Sequence, residues 1–296
     1  MFKSIKVMLH PNNKQQTKLF QCFRVSRFAY NWVLNRQQEN YRSGGKFLSA
    51  FDLMKEFTQL KKLPEYSWLN EYSGDIPAMA IIDACSAYKN FFDGNSNFPK
   101  FKSKRWSSQS FGMHSAKIKF TDTHVRVMKI AGSQKRNRLR LNWVKLAERG
   151  RIPTNCKYSN PRVTFDGINF WISVSIEVED TKEVPTGNGI GIDLGIKDLA
   201  ICSDGNIYKN INKTKDVKRL EKKRRRLQRK LSKKYLINKH EKTKNILKLE
   251  KEVLKLSHRL NNIRHNYMHQ VTSELVNRKP MFISLEELNV SGMMKN

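Results

Sequence analysis

Apolar residues change their spacing along this chain of 296 residues, and the changes divide it into zones. Up to about residue 105 the spacing is helical. Phe20, Phe23, Tyr30 and Leu34 recur at three- and four-residue steps, with Arg27 interrupting the same face. Ser49 and Asp52 predict an N-terminal cap ahead of Leu53, Phe57 and Leu60. Pro77 predicts the opening of a further helix through Ile81, Ala84, Tyr88 and Phe92, which Gly94 ends. From Lys117 to Glu179 the period shortens to two: Ile118/Phe120, Val125/Val127, Leu139/Leu141 and Val163/Phe165 alternate, and Phe170–Val178 follows the turn pair Asp166-Gly167. Short strands at this spacing, with a first strand at Phe2–Leu9, predict a small antiparallel sheet or barrel from about 1–10 and 110–180. The helices at about 11–105 are then an insertion in it.

Thr181–Asn188, with Pro185 and Gly187, marks the expected domain boundary. Beyond it Gly189–Ala200 reads as a glycine-rich strand, and Asp204-Gly205 as a turn into another. Lys213–Lys234 holds thirteen Lys/Arg against Asp216 and Glu221, with Leu220, Leu227 and Leu231 at helical intervals: a basic amphipathic helix. Ile246, Leu249, Val253, Leu256, Leu260, Ile263 and Tyr267 then alternate three- and four-residue steps, the pattern of a coiled-coil seam. The polar stretch Ser232–Glu241 lets the two helices fold back as a hairpin over about 213–278. A last strand begins at Pro280.

Charge changes the picture most: 57 Lys+Arg against 26 Asp+Glu leave a net +31. So basic a chain points to a polyanionic partner. No apolar run approaches the roughly 18–20 residues needed to span a bilayer, and Met1–Asn12 lacks the features of a signal peptide, so the expected setting is cytoplasmic and nucleoid-associated, without a membrane. Cys22, Cys85, Cys156 and Cys202 form no C-x-x-C pair, so no zinc is expected within this chain, and reduced structural thiols are.

The candidate nucleic-acid-binding residues fall in three groups. Arg27, Tyr30 and Asn31 lie on the first helix. Phe98–Trp106 supplies Lys100, Lys102, Lys104 and Arg105 among three aromatic rings, a backbone-tracking and base-stacking composition. The basic helix supplies Lys222, Lys223, Arg224, Arg225, Arg226, Arg229 and Lys230. Of the acids, Asp193 shares a strand face with Gly191 and Gly195, which leave room for a bulky group. Glu286 shares a face with Phe282 and Ser284. Two such carboxylates side by side repel unless a cation lies between them, and hard oxygen ligands suit Mg²⁺. A third carboxylate would be expected; Asp198 and Asp204 are candidates, but both belong to the hairpin next to Asp193 and are expected to point elsewhere.

Gly191-Ile192-Asp193-Leu194-Gly195-Ile196-Lys197, followed by Asp204-Gly205, resembles the first RuvC motif of the TnpB (OrfB) proteins of insertion sequences, compact relatives of type V CRISPR effectors. Leu285-Glu286-Glu287-Leu288-Asn289-Val290, then Gly292-Met293, resembles the second, with Glu287 where Asp is usual. Arg27-Phe28-Ala29-Tyr30-Asn31 and Phe98-Pro99-Lys100-Phe101-Lys102-Ser103-Lys104 match further stretches. The resemblance implies a mixed α+β and α/β chain: a wedge-like β-barrel with a helical recognition insertion over 1–180, then an incomplete RNase H-like (RuvC) domain over 181–296. It implies a transposon-encoded protein that takes a guide RNA from the transposon end and cleaves double-stranded DNA beside a short adjacent motif, as a monomer or RNA-bound complex. Asp193 and Glu286 match the first two catalytic ligands of Mg²⁺. The family's zinc ribbon and third RuvC motif do not match within these residues, so the expectation is a truncated or disrupted copy with impaired DNA cleavage. Two alternatives share the composition: a non-cleaving RNA-guided DNA-binding repressor, and an RNA-independent DNA-binding transposase accessory protein.

Overall fold

The computed structural model describes residues 1–105, 107–127, 142–179, 184–185 and 187–286. It divides into two units, Met1–Asp180 and Thr181–Asn296.

In the first unit Phe2–His10 forms β1, with Val7 and Leu9 alternating into the core. Helix α1 (Asn13–Arg42) opens with a reciprocal cap: Asn12 Oδ1 accepts from the Gln15 N–H at 2.9 Å, and Gln15 Oε1 accepts from the Asn12 N–H at 3.0 Å. Ser49 caps α2 (Ala50–Leu60), accepting from the Asp52 N–H at 3.2 Å. Helix α3 (Asp75–Phe92) carries Pro77 in its first turn, where the missing N–H has no intrahelical partner to lose. The buried stripes of α1 (Leu19, Phe23, Val33, Leu34) and α3 (Ile76, Ile81, Ala84) belong to one core.

Strands β2 (Gln109–Gly112), β3 (Lys119–Phe120), β4 (His124–Arg126), β5 (Trp143–Leu146), β6 (Tyr158–Phe165) and β7 (Phe170–Glu177) join β1 in a seven-stranded sheet of order β2-β6-β7-β1-β5-β4-β3. The longest ladder is antiparallel, from Phe2↔Glu177 to Leu9↔Phe170. Among the described residues no ladder joins β2 to β3, so the expected barrel is there an open sheet. The Asp166-Gly167 turn is tied by the Asp166 carboxylate, which accepts from the N–H groups of Ile168 (2.8 Å) and Asn169 (2.7 Å) and from the Trp171 indole (2.7 Å). The expected alternation at Leu139/Leu141 lies outside the described residues, as does Trp106.

The second unit has a four-stranded sheet of order β10-β9-β8-β11, built from β8 (Ile190–Leu194), β9 (Asp198–Cys202), β10 (Ile207–Lys209) and β11 (Ile283–Leu285). The first three pair antiparallel, whereas β11 runs parallel to β8. The sequence reading of Gly189–Ala200 as one strand is corrected: the run breaks at Gly195–Lys197 into a β8–β9 hairpin, with Ile196 80% exposed at its tip. Helices α4 (Lys215–Ile237) and α5 (Lys244–Asn277) make the hairpin. The fold-back is shorter than the polar stretch suggested, because α4 continues through Ser232 to Ile237 and the chain reverses with Lys239 and His240 at positive φ. Val271 and Leu275 of α5 pack with Ile190, Ile192, Ala200 and Cys202, and Val217, Leu220 and Leu260 join α4 to α5.

The four thiols are free. Burial pushes the Cys22 thiol up to about 12 and the Cys85 thiol up to about 11, out of the reactive range. Among the described residues no helix is long and apolar enough to cross a membrane.

Candidate catalytic carboxylates and nucleic-acid interface

Parallel pairing sets the acids of the second unit. The ladder runs Ile283↔Ile190, Ser284↔Gly191 and Leu285↔Ile192, so one further step in register brings Glu286 level with Asp193. Neighbouring strands lie about 4.8 Å apart, and side chains in register on parallel strands point to one face. That is the face opposite Ile190 and Ile192, which are buried beneath α5, and both Asp193 and Glu286 are exposed. Across the sheet Asp193 is level with Ile201, and Ile201 with Ile207. Gly191 adds no side chain beside Asp193, and its N–H donates to Ser203 Oγ at 3.0 Å.

The nearby acids differ in their engagements. Asp204 Oδ2 accepts from Arg278 Nη1 at 2.5 Å, and Oδ1 from the Asn206 N–H at 3.1 Å. These bonds, the turn N–H first, hold the Asp204 carboxyl below the usual carboxylate range. Asp198 is half-buried on β9. Among the described residues no three His, Cys, Asp or Glu side chains gather around one point. The donor chemistry of Asp193 and Glu286 nevertheless fits Mg²⁺, which is held by one or two carboxylates and completes its shell with water and substrate phosphate. Glu287, Leu288, Asn289, Val290, Gly292 and Met293 of the second motif lie outside the described residues.

On α4, Lys222, Lys223, Arg225, Arg226, Arg229 and Lys230 are exposed. Lys222, Arg225, Arg226 and Arg229 line one shallow cavity of about 500 Å³ with Lys218 and Glu221. The acids of this helix are committed elsewhere: Asp216 accepts from Arg219 at 3.0 Å and Glu221 from Arg264 on α5 at 2.6 Å. The cations between residues 222 and 230 therefore keep their charge for a partner. Arg224 is the exception, half-buried with its Nε shielded from solvent and without a hydrogen bond.

The first unit treats its candidate cations differently. Tyr30 is only 7% exposed, and Lys102 Nζ sits 3.6 Å from its ring centroid. Asn31 clamps the same residue, its Nδ2 donating to the Lys102 carbonyl and its Oδ1 accepting from the Lys102 N–H, both at 2.8 Å. Burial pushes the Lys102 ammonium down, while the Asp83 carboxylate pulls it back up. Asp83 in turn accepts from Arg162 Nη2 at 2.8 and 2.9 Å. The Tyr30 ring is enclosed and already carries a cation. Tyr30, Asn31 and Lys102 hold the 98–105 segment onto the helices. Arg27 donates to Gln109 Oε1 at 3.1 Å. Burial, then the neighbouring Arg24, lowers its pKa. Lys100, Lys104 and Arg105 are exposed, with Phe101 52% exposed among them. Asp83, Arg162 and Gln109 escaped the sequence reading. All three stand in stretches that carry no motif.

Comparison with known proteins gives a consistent set of relatives. The family profile described as "Probable transposase", OrfB of IS605, matches residues 173–296. One described as "Helix-turn-helix domain" of the same OrfB group matches residues 1–46. In this chain those residues form β1 and the long helix α1, with a short loop after it, rather than two helices about a turn. The chain is 27% identical over 295 residues to "Putative RNA-guided DNA endonuclease InsQ" of Escherichia coli (strain K12), covering 99% of this chain and 68% of that protein. It is 24% identical over 294 residues to "Putative RNA-guided DNA endonuclease" of Streptomyces pristinaespiralis, covering 99% of this chain and 69% of that protein. Among solved structures, the fold is similar to that in "Cryo-EM structure of the Cas12f1-sgRNA-target DNA complex", with a TM-score of 0.53 and 13% identity. That match takes in 93% of this chain but only 65% of the solved one, so the chain spans just under two thirds of that relative's length.

Proposed function

We propose that this chain, a member of the OrfB (TnpB) family of insertion-sequence proteins, is an RNA-guided DNA endonuclease that hydrolyses phosphodiester bonds at Asp193 and Glu286. The observation that carries this is the parallel β8–β11 ladder, which pairs Leu285 with Ile192 and, continued by one residue, would set the two acids level. Three antiparallel strands with a fourth parallel to the first support an RNase H-like (RuvC) assignment for 181–296. The β1–β7 sheet with its inserted helices supports a wedge and recognition lobe for 1–180, the wedge a small barrel in the complete fold.

In this reading Asp193 and Glu286 hold Mg²⁺, which when bound makes water a competent nucleophile near neutral pH and offsets charge on the phosphate. The protein's own residues do the rest. Gly191 keeps the strand clear of a side chain next to Asp193, so a sugar–phosphate backbone can approach closely. Ile190 and Ile192, packed under α5, fix the strand that carries Asp193. Exposed Lys222, Arg225, Arg226 and Arg229 neutralise phosphates of the guide RNA or the DNA target. Sequence choice is left to base pairing between guide and target. The protein works at the nucleoid as an RNA-bound complex, where its DNA substrate lies.

The test reconstitutes the chain with RNA transcribed from the end of its own element, and offers duplex DNA matching the guide. Cutting that needs both RNA and Mg²⁺, and that falls to background in Asp193→Ala and in Glu286→Ala, is the expected result. Cutting that persists in both variants sinks the active-site assignment. RNA-dependent protection of the target without cutting selects the guided repressor instead. Tight duplex binding without RNA selects the accessory-protein reading.

A further inference from the structure

We infer that the end of α1 and the end of α3 form a stacking pocket for an unpaired nucleobase of bound single-stranded nucleic acid. The inference rests on the nucleic-acid-binding reading above and adds a site to it. A cavity of about 490 Å³ opens here, within the usual range for small-molecule sites. Its walls are aromatic: Tyr41, Phe47, Tyr88, Phe91, Phe92 and Phe98.

The rings are arranged to receive another ring. Tyr88 is 4% exposed and forms the floor, whereas Tyr41 (82%), Phe92 (67%), Phe47 (49%) and Phe98 (46%) stand open to solvent. Phe47 meets Tyr88 and Phe92 edge-on at centroid distances of 5.7 and 6.0 Å, and Phe98 meets Tyr88 edge-on at 5.6 Å. So many exposed rings in one place exceed what a solvated surface needs. The pocket is also held in shape before anything binds. Gln37 donates to the Leu48 carbonyl at 2.7 Å and accepts from the Leu48 N–H at 3.1 Å, and Asn40 donates to the Lys46 carbonyl at 2.5 Å. These bonds pin the loop that carries Phe47.

Charge selects the occupant. The lining includes Arg42 and no carboxylate, with Gln37, Gln38 and Asn40 as its other polar side chains. Phe98 is at the same time the first residue of the segment that continues through exposed Lys100, Phe101, Lys104 and Arg105. A cationic track leading out of an aromatic recess is the composition by which proteins hold single strands: cations follow the phosphates while rings take bases. An apolar peptide or a second copy of the chain would use the rings but has no need of the track.

The full chain is titrated with fluorescent oligoadenylate RNA and with an abasic sugar–phosphate oligomer of equal length. Wild-type protein is expected to prefer the base-bearing strand by about tenfold or more, the scale of stacking one or two bases. Tyr41→Ala with Phe92→Ala should cut that preference at least about fivefold and leave the salt dependence of binding unchanged. Both side chains are largely exposed, and Phe92→Leu with thermal melts by circular dichroism controls for folding. An unchanged base preference in the double variant overturns the pocket while leaving salt-dependent binding, and the broader reading, intact. If neither oligomer binds, that broader reading falls and the pocket with it. If the double variant only abolishes concentration-dependent self-association in sedimentation, the face joins copies of the chain and the inference is overturned.

Discussion

The two units carry similar cations on different foundations. In the first, Phe23, Phe111, Val33, Ile81 and Ile172 are 1% exposed or less, and Lys102 is drawn into that body against Tyr30, Asn31 and Asp83. In the second, the apolar clusters are small: Val271 and Leu275 over four sheet residues, and Val217, Leu220 and Leu260 between the helices. Its cations at 222–230 are almost all exposed. A dense run of Lys and Arg therefore does not define a role. What decides is whether folding brings a carboxylate and an aromatic face to the cation. Where it does, the cation helps hold the fold, and where it does not, the charge stays in solvent.

Alkaline pH should separate the units most strongly. Burial raises Cys22 from 9.0 to about 12 in the folded chain, and burial, then Cys156, raises Tyr158 from 10.0 to about 12. A group whose pKa is raised by folding contributes its full stabilisation below the unfolded value and loses it as pH climbs through the folded one. For Cys22 the loss is about 4 kcal/mol across pH 9 to 12, while Lys102, shifted the other way, offsets a little of it. All five tryptophans lie before residue 180, so tryptophan fluorescence in urea reads the first unit alone. Its midpoint should fall steeply above pH 9, and Cys22→Ala should flatten that slope. A midpoint that stays level to pH 11 would break the contrast.

Asp83→Ala comes next in size. It leaves Arg162 and Lys102 without their shared counter-charge at a site about one-third exposed, and should cost about 1–3 kcal/mol by the same fluorescence assay. A cost under about 0.5 kcal/mol would mean that solvent already screens the network. The smallest effect on stability is expected on α4. Lys222→Ala, Arg225→Ala and Arg229→Ala together should shift unfolding by about 0.5 kcal/mol or less, read by far-ultraviolet circular dichroism. The same variant should lower the log–log salt slope of RNA binding by about 2, since each lost phosphate contact removes roughly 0.7. A large stability loss with an unchanged slope would place these cations with Lys102 instead.

Much of the fold was legible because periodicity is local. The stripe Phe20, Phe23, Tyr30, Leu34 is one face of α1, the cap at Ser49 starts α2, and Asp166-Gly167 turns β6 into β7. The break between β8 and β9 was not legible, since Ile196 continues an apolar alternation yet stands in solvent at the hairpin tip. Nor was the fate of Lys102. Its clamp reaches across 71 residues to Asn31, and Arg162 reaches 79 residues to Asp83. A segment rich in Lys, Phe and Ser reads the same whether such partners arrive or not.

Taken alone, the order of residues determined what is decided within a helical turn or a strand pleat: where each element starts, which side is apolar, and how much positive charge the chain must present. It also singled out Asp193 and Glu286 as unusual acids in a basic background. Only the tertiary structure decided that β11 returns parallel to β8 rather than antiparallel, which pairs Leu285 with Ile192 just before those acids, and that Tyr30 and Lys102 are enclosed while Phe92 and Tyr41 are open. The reason is physical. Joining distant segments costs loop-closure entropy that varies only slowly with separation, so many pairings are nearly equivalent until side chains pack, and packing is a property of the whole core.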